Sequence, residues 1–214
     1  MDTGVVLGYC FRDDTHHQKC KQYLETQDVS LYISDHVESE YLNRKPDLAE
    51  EIADGIFAHI SQLESSDYEG QLDSMDTTQI RQTLISSNND AQHTLHDFYK
   101  NEVPNFIQMD DLMSRLRDMA RDIEQNAIEN KGSLMNRTEL WTREEDYSEI
   151  DDELSDIPWD DRRICLDAHD VVERNGETTE LSTVNPNDLV DDGYRELILN
   201  QTALGDVVSL AVRS

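Results

Sequence analysis

Four carboxylates and one amide stand where alternating strands and helices would bring them together. Asp2 precedes GVVLGYCF, Glu40 lies in SDHVESEYL, Asp161 opens DRRICLDA, and Asn185 and Asp188 follow TELSTV. In open α/β sheets, ligands bind beyond the carboxyl ends of the strands, which is where these side chains are expected. Oxygen ligands without His or Cys suit Mg²⁺ or Mn²⁺, ions that activate water for phosphodiester hydrolysis. The pattern therefore predicts a metal-dependent hydrolytic site.

The elements that must position these side chains follow from hydrophobic periodicity. The runs VSLYIS (29–34), TELSTV (179–184) and DVVSLAV (206–212) predict strands, and GVVLGYCF (4–11) could be a strand leading directly into a helix. Apolar residues at helical spacing predict helices from about residue 35, from Pro46 to about Leu63, and over 160–175, the last closed by Gly176. Strands that alternate with helices predict a parallel α/β sheet flanked by helices.

A long segment interrupts this pattern. The region from about 77 to 131 shows helical periodicity, and 143–156 is an acidic stretch typical of a solvated linker. The length of 214 residues suits one large domain or a domain with an insertion. We therefore expect a single domain over 1–214, with a core of 1–64 and 157–214 and a large, mainly helical insertion over 65–156.

The order and context of the acidic positions resemble the PIN-domain (PilT N-terminus) nucleases. This family includes toxins of prokaryotic toxin–antitoxin pairs and RNA-processing endoribonucleases. DTGVVLGYCF is similar to its opening motif, ISDHVESEYL to its second, DRRICLDA to its third and TVNPNDL to its fourth. The similarity covers about 2–64 and 157–212. It implies a PIN-like fold and cleavage by a metal-bound water without a covalent enzyme intermediate.

The resemblance also assigns roles to residues. Asp2, Glu40, Asp161 and Asp188 occupy its acidic positions, which implies that they are catalytic and hold Mg²⁺ or Mn²⁺. Substrate contacts are expected at positions beside these carboxylates, namely Thr3, Thr183, Asn185, Arg162 and Arg163. RNA is the expected substrate. The helical insertion is a candidate surface for an antitoxin or another partner protein. Formation of a homodimer is a further alternative that the sequence leaves open.

Two positions depart from the family pattern. Several apolar residues normally precede the opening Asp as the first strand, whereas here only Met1 does. The alternatives are a chain begun at an internal Met and a fold that lacks most of this strand. Asn185 is a neutral residue where many members carry Asp. These departures favour a competing hypothesis, a catalytically weak or inactive PIN-like module that binds partner proteins. A third and weaker hypothesis is an acidic nucleic-acid mimic, which would need phosphate-like charge spacing on one exposed face.

The charge balance bears on the environment and on the substrate. Forty-seven acidic residues oppose eighteen basic ones, giving a formal net charge of −29, and only five of the basic residues are Lys. This composition resembles that of proteins from halophilic archaea, whose acidic surfaces are solvated at high salt. At an ionic strength of 1 M the Debye length is about 3 Å, so long-range repulsion of RNA would be nearly abolished.

Other sequence features predict the cellular compartment. Cys10, Cys20 and Cys165 are odd in number and form no CxxC pair, which fits a reducing cytoplasm better than a disulfide framework. No apolar run approaches the ~20 residues of a membrane span. The N-terminus also lacks the basic segment followed by a long apolar run that is typical of a signal peptide. The expected location is therefore cytoplasmic, without a membrane partner.

The composition predicts that folding needs salt. Repulsion among the excess carboxylates opposes the compact state, and added salt screens that repulsion. We expect the melting temperature to rise as KCl increases from about 0.1 M to about 2 M, concentrations that shorten the Debye length severalfold. Differential scanning calorimetry measures it, and an unchanged melting temperature would contradict the halophilic interpretation.

Overall fold

The computed structural model describes residues 1–26, 29–85, 89, 91–191 and 193–211, with the side chain of Asp188 left out. The helices are α1 (Thr3–Cys10), α2 (His17–Thr26), α3 (Asp35–Glu64), α4 (Ser74–Ile85), α5 (Gln92–Asn101), α6 (Met109–Met135), α7 (Ser148–Glu153), α8 (Trp159–Asn175), α9 (Pro186–Leu189) and α10 (Tyr194–Gln201). The strands are β1 (Leu31–Ser34), β2 (Gln71–Leu72), β3 (Ile107–Gln108), β4 (Thr138–Trp141), β5 (Glu180–Thr183) and β6 (Asp206–Ser209). The fold class is α/β, as predicted.

The chain divides into two compact units. Unit 1 comprises Met1–Cys10, His16–Asn43 and Asn130–Ser214, and unit 2 comprises Phe11–Thr15 and Arg44–Glu129. These divisions differ from the predicted boundaries after 64 and 156. The second boundary differs because β4 and α7, inside the predicted insertion, pack within unit 1, whereas the first falls inside α3, after Asn43. Whether the whole chain acts as one domain stays a prediction.

Unit 1 contains two pairs of parallel strands. β1 pairs with β4, with Leu31 opposite Thr138, and β5 pairs with β6, with Leu181 opposite Val207. Among the described residues these pairs are separate two-stranded sheets, whereas the sequence predicted one parallel sheet. The strands predicted over 29–34, 179–184 and 206–212 are confirmed, each somewhat shorter than its apolar run.

Unit 2 is mainly helical. Its strands β2 and β3 form a short antiparallel pair, with Leu72 opposite Ile107. Its core is formed by buried residues of α4, of α5 and of those parts of α3 and α6 that lie in this unit, among them Ile56, Leu84, Leu95, Leu112 and Leu116. The helical periodicity of this region was therefore predictive, although turns divide it into several helices.

The apolar run at residues 4–11 is helical, so the possibility of an initial strand there is wrong. Asp2 provides the reason, because its Oδ1 accepts a hydrogen bond from the Val5 N–H at 2.7 Å and caps the first turn. Val5, Val6 and Cys10 are almost completely buried, so α1 is apolar around its circumference. An apolar run without alternation does not distinguish a buried helix from a buried strand.

The helix α3 is continuous through Pro46, where the sequence predicted two helices. Proline lacks an amide hydrogen, so the carbonyl of Leu42 loses its intrahelical partner. Leu42 is 54% exposed and Pro46 is also exposed, so water can satisfy that carbonyl. The exposed position therefore lowers the cost of proline inside the helix.

The acidic stretch 143–156, predicted to be a linker, is anchored on α8. Asp170 is completely buried and accepts hydrogen bonds from Trp141 Nε1 at 2.9 Å and from the Tyr147 hydroxyl at 2.8 Å. The Arg143 Nε donates to Asp167 Oδ1 at 2.9 Å. These contacts fix both ends of the segment that enters α7. In the described ranges, no helix is both long and apolar enough to span a membrane.

We expect Asp170→Ala to lower the free energy of unfolding by about 3 kcal/mol. The substitution leaves the partly buried Trp141 and Tyr147 donors without their completely buried acceptor, which is the costly way to break such a polar network. Urea denaturation in about 2 M KCl measures the loss, with the salt chosen to screen surface repulsion. The control is Glu173→Ala, on the exposed side of α8, for which a change within about 0.5 kcal/mol is expected. Equal effects would contradict the role given to Asp170.

Candidate functional site

Asp2 lies between the end of β5 and the beginning of α1. Its amide donates to the Ser182 carbonyl at 3.0 Å, and its side chain caps α1 at Val5. The Thr183 hydroxyl and the Val184 amide also bond to this carboxylate. Asp2 is only 5% exposed. Asp2, a predicted site residue, is therefore a buried carboxylate beside the carboxyl end of β5 that accepts hydrogen bonds from neutral donors.

Burial raises the pKa of the Asp2 carboxyl above its usual range. Removal from water disfavours the charged form, and the hydrogen bonds from Thr183 and Val5 offset part of this effect. The Met1 ammonium favours the charged form, while burial lowers the pKa of that ammonium. Asp2 thus carries a desolvation cost that a bound cation would reduce.

Glu40 is brought to Asp2 through Thr3. The Thr3 hydroxyl donates to Glu40 Oε2 at 2.5 Å, and Thr3 itself is buried. Thr3 follows Asp2 directly in the chain and hydrogen-bonds to Glu40. It therefore links two acidic residues that are 38 positions apart in the sequence. The sequence assigned Thr3 to substrate contact, whereas its hydroxyl is engaged in orienting Glu40.

Asp161 occupies the first turn of α8. It precedes Ile164 and Ala168 by three and seven residues, a spacing that places all three on one helix face. The adjacent Asp160 Oδ1 lies 3.8 Å from Nε2 of His36, in the first turn of α3. The first turns of α3 and α8 are therefore neighbours, with Asp161 directly after Asp160 and Glu40 one turn after His36.

The fourth predicted segment follows β5 directly. The Asn185 amide donates to Thr183 Oγ1 at 2.9 Å, and Asn185 is exposed at the N-terminus of α9. Thr183 is completely buried and bonds to both Asp2 and Asn185. Asp188 lies in α9, but its side chain is outside the described part of the structure. The contribution of Asp188 stays a prediction.

The two arginines predicted to contact phosphate are engaged with nearby residues. Arg162 Nε lies 2.6 Å from Asp151 Oδ1, an ion pair between α8 and α7. The guanidinium groups of Arg162 and Arg163 lie 5.2 and 5.8 Å from the centroid of the Trp159 ring. Trp159 is 56% exposed, and the sequence analysis did not single it out. Trp159 stands three and four residues before Arg162 and Arg163. This helical spacing could have predicted the contact between its ring and the two guanidinium groups.

The ligand type of the candidate site suits a metal ion, but the arrangement of the described side chains does not form a complete metal site. The carboxylate oxygens of Asp2 and Glu40 are the ligand type that Mg²⁺ and Mn²⁺ prefer. Nevertheless, in the part of the chain that the structure describes, no three His, Cys, Asp or Glu residues are grouped so that they could hold a metal. The Asp2 carboxylate also already accepts several hydrogen bonds. A complete metal site is therefore not assembled among the described side chains.

Comparison with known proteins adds no assignment. No protein-family model, curated protein or solved structure matches this chain. The candidate site therefore consists of the cluster formed by Asp2, Thr3, Glu40 and Thr183, together with the neighbouring first turn of α8.

The raised pKa of Asp2 predicts a pH-dependent effect of Asp2→Asn. Because folding raises this pKa, stability from Asp2 is present at low pH and is lost as the pH rises through the folded-state pKa. In metal-free buffer near pH 7, we expect Asp2→Asn to unfold at equal or higher urea concentration than the parent. That difference should diminish as the pH is lowered and the parent carboxyl regains its proton.

The control is Asp54→Asn, which changes an exposed carboxylate of α3. Its stability difference from the parent should not vary with pH in this manner. If Asp2→Asn were less stable than the parent at neutral pH, with the deficit growing as the pH rises, the sign assigned to the Asp2 pKa would be wrong.

Proposed function

We propose that this chain is a metal-dependent endonuclease of the PIN type, acting on RNA, and that its α/β architecture is PIN-like. The observation that carries the proposal is the junction of Asp2 and Glu40 through Thr3, beside Thr183 at the end of β5. Residues from the beginning, the first third and the end of the chain meet there. This supports the chain order and context on which the resemblance rests.

The location of Asp161 adds support. The first turn of α8 adjoins that of α3 through Asp160 and His36, and Asp161 follows directly in the chain. Asp2 and Glu40 thus flank Thr3, and Asp161 lies on the helix whose first turn contacts the first turn of α3. Ligand sites of α/β proteins commonly lie at the carboxyl ends of their strands.

In the proposed site, Asp2, Glu40, Asp161 and Asp188 hold Mg²⁺ or Mn²⁺. The ion would supply an activated water and stabilise the leaving oxygen of a phosphodiester. The protein contributes a fixed Asp2, oriented by Val5 and Thr183, and a Glu40 oriented by Thr3. Cation binding would also offset the desolvation of Asp2. High ionic strength would allow RNA to approach a chain of this charge.

The test compares Asp161→Asn with the matched control Asp160→Asn on the same helical turn. With Mn²⁺, cleavage of a structured RNA in molar KCl should fall about 100-fold or more in Asp161→Asn, equivalent to ~3 kcal/mol of lost metal-centred stabilisation. Asp160→Asn should cleave at close to the parent's rate. Without metal, Asp161→Asn should be as stable as the parent or more so, because like-charge repulsion is reduced.

Metal binding provides a separate readout. Mn²⁺ should raise the melting temperature of the parent and of Asp160→Asn but not that of Asp161→Asn, since a ligand that binds the folded state stabilises it. Cleavage by Asp161→Asn at the parent's rate would contradict the catalytic assignment. If the parent neither bound Mn²⁺ nor cleaved RNA, the nuclease proposal would fail.

The second candidate is a PIN-like protein-interaction module without strong catalysis. The absence of a group of three potential metal ligands among the described residues favours it. The ion pair between Arg162 and Asp151 also favours this candidate, because a guanidinium that is already paired is less available to bind phosphate. The Mn²⁺ melting experiment separates the candidates, since an interaction module predicts no metal-dependent stabilisation.

A further inference from the structure

An exposed aromatic ring lies in the first turn of α8, next to the candidate site. Trp159 is the first residue of this helix and is 56% exposed. Its neighbours Pro158 and Asp160 are exposed as well, whereas Ile157 is buried and anchors the segment in unit 1. The indole ring therefore has a nonpolar surface that the fold leaves accessible and that a flat ligand could contact.

Two guanidinium groups lie beside this ring. The central carbon of the Arg162 guanidinium is 5.2 Å from the ring centroid, and that of Arg163 is 5.8 Å from it. Residues three and four positions later in a helix return to the same face, which explains both contacts. A Trp ring attracts cations through its electron-rich face. The first turn of α8 thus presents an aromatic surface and positive charge together.

The two arginines differ in their other contacts. Arg162 Nε lies 2.6 Å from Asp151 Oδ1, and the Arg162 side chain is only 16% exposed. By contrast, considering the residues that the structure describes, no carboxylate forms an ion pair with Arg163, whose guanidinium contacts the Trp159 ring. A guanidinium matches the geometry of a phosphate group. Arg163 is therefore the cation of this pair that can bind a phosphate.

Trp159 and Asp161 lie on different sides of the same helical turn. Two residues of an α-helix correspond to a rotation of ~200°, and the helix is ~10 Å across. A nucleotide whose phosphate meets Asp161 would therefore not reach the indole with its own base. A neighbouring nucleotide of the same strand, passing around the first turn of α8, could do so.

We propose that Trp159 and Arg163 bind one unpaired nucleotide of an RNA strand, with its base stacked on the indole and its phosphate bonded to the guanidinium. Aromatic rings combined with positive groups are the usual means of binding single strands. A base inside a duplex is stacked on its neighbours, so the contact selects unpaired RNA. The inference rests on the proposed function for the choice of RNA, and it makes Trp159 a substrate-positioning residue.

A protein partner is the other occupant that an exposed Trp and Arg could have. The cores of such interfaces are apolar and depleted of charge. Asp156 and Asp160 are exposed close to Trp159 in the chain, and an apolar partner would have to remove these carboxylates from water. A single strand leaves them solvated, and molar salt screens them from its phosphates. The surroundings of the ring therefore favour a nucleotide.

Binding of decaadenylate RNA in molar KCl and EDTA tests the stacking contact without metal or cleavage. Trp159→Ala should raise the Kd about tenfold, as expected when one base loses its aromatic partner. Trp159→Tyr should stay within about threefold of the parent, because a phenol ring also stacks. The control Phe106→Ala, which removes a 64% exposed aromatic ring in unit 2, should bind like the parent. Annealing the probe to its complement should weaken binding and abolish its dependence on Trp159.

The salt dependence of the same Kd tests the phosphate contact. Each phosphate contact to a single strand contributes a slope of about −0.7 to the plot of log K against log[KCl]. Arg163→Gln should reduce the slope by about that amount, whereas Trp159→Ala and Arg162→Gln should leave it unchanged. Circular dichroism checks that the variants fold. If Arg162→Gln does not fold, the comparison of Arg163→Gln with Trp159→Ala decides. An unchanged slope in Arg163→Gln would overturn its assigned contact.

The outcomes separate this inference from the nuclease proposal. A parent protein that binds the probe through Trp159 but does not cleave RNA with Mn²⁺ would support the nucleotide site and refute the nuclease. Cleavage by the parent, together with unchanged probe affinity in Trp159→Ala, would overturn the inference and leave the nuclease proposal standing. The indole would then be the candidate contact for a protein partner. Failure of the parent to bind the probe would also overturn the inference.

Discussion

Two residues at the beginning of the chain, Met1 and Asp2, connect the parts on which the organisation of unit 1 depends. Their nitrogens bond to carbonyls of β1 and β5, and the Asp2 side chain caps α1. Satisfaction of buried backbone groups is nearly obligatory in folded proteins, so this extended dipeptide fixes the two strand pairs relative to each other within the unit. The position of Asp2 at the candidate site is a consequence of the same bonds.

Burial of Asp2 illustrates how structural and functional demands coincide at this position. A carboxylate that caps a helix and accepts the Thr183 hydroxyl is well held, but its removal from water is costly. Thr3 is buried beside Asp2, and its hydroxyl holds the Glu40 side chain in place through one hydrogen bond. Threonine hydroxyls and backbone amides therefore help to set the geometry of the acidic pair.

Asp170 shows a different solution to the same problem elsewhere in the unit. It is completely buried, yet it receives donors from Trp141 and Tyr147 and lies 3.5 Å from Arg174. The network attaches β4 and the acidic segment before α7 to α8. In a chain with 47 acidic residues, most carboxylates contribute solvation at the surface, whereas Asp170 organises the interior.

The sequence alone determined the α/β class, the strands near 31–34, 180–183 and 206–209, and the helix 159–175 with its Gly176 terminus. These elements carry strong local signals: β-branched runs, helical periodicity, and a glycine with φ of 68°. The sequence also indicated Asp2 and Glu40 as members of one candidate site with Asp161 and Asp188, through their order and context.

Only the tertiary structure decided the remainder, because long-range contacts override local pattern. GVVLGYCF became a helix because Asp2 caps it and unit 1 buries it on all sides. β4 joined unit 1 because its backbone pairs with β1, a contact between residues more than 100 positions apart. Arg162 is held by Asp151, and in the described part of the chain β1 and β5 line one groove together with α8. Neither relation is encoded in local periodicity, since both depend on which distant segments share a surface.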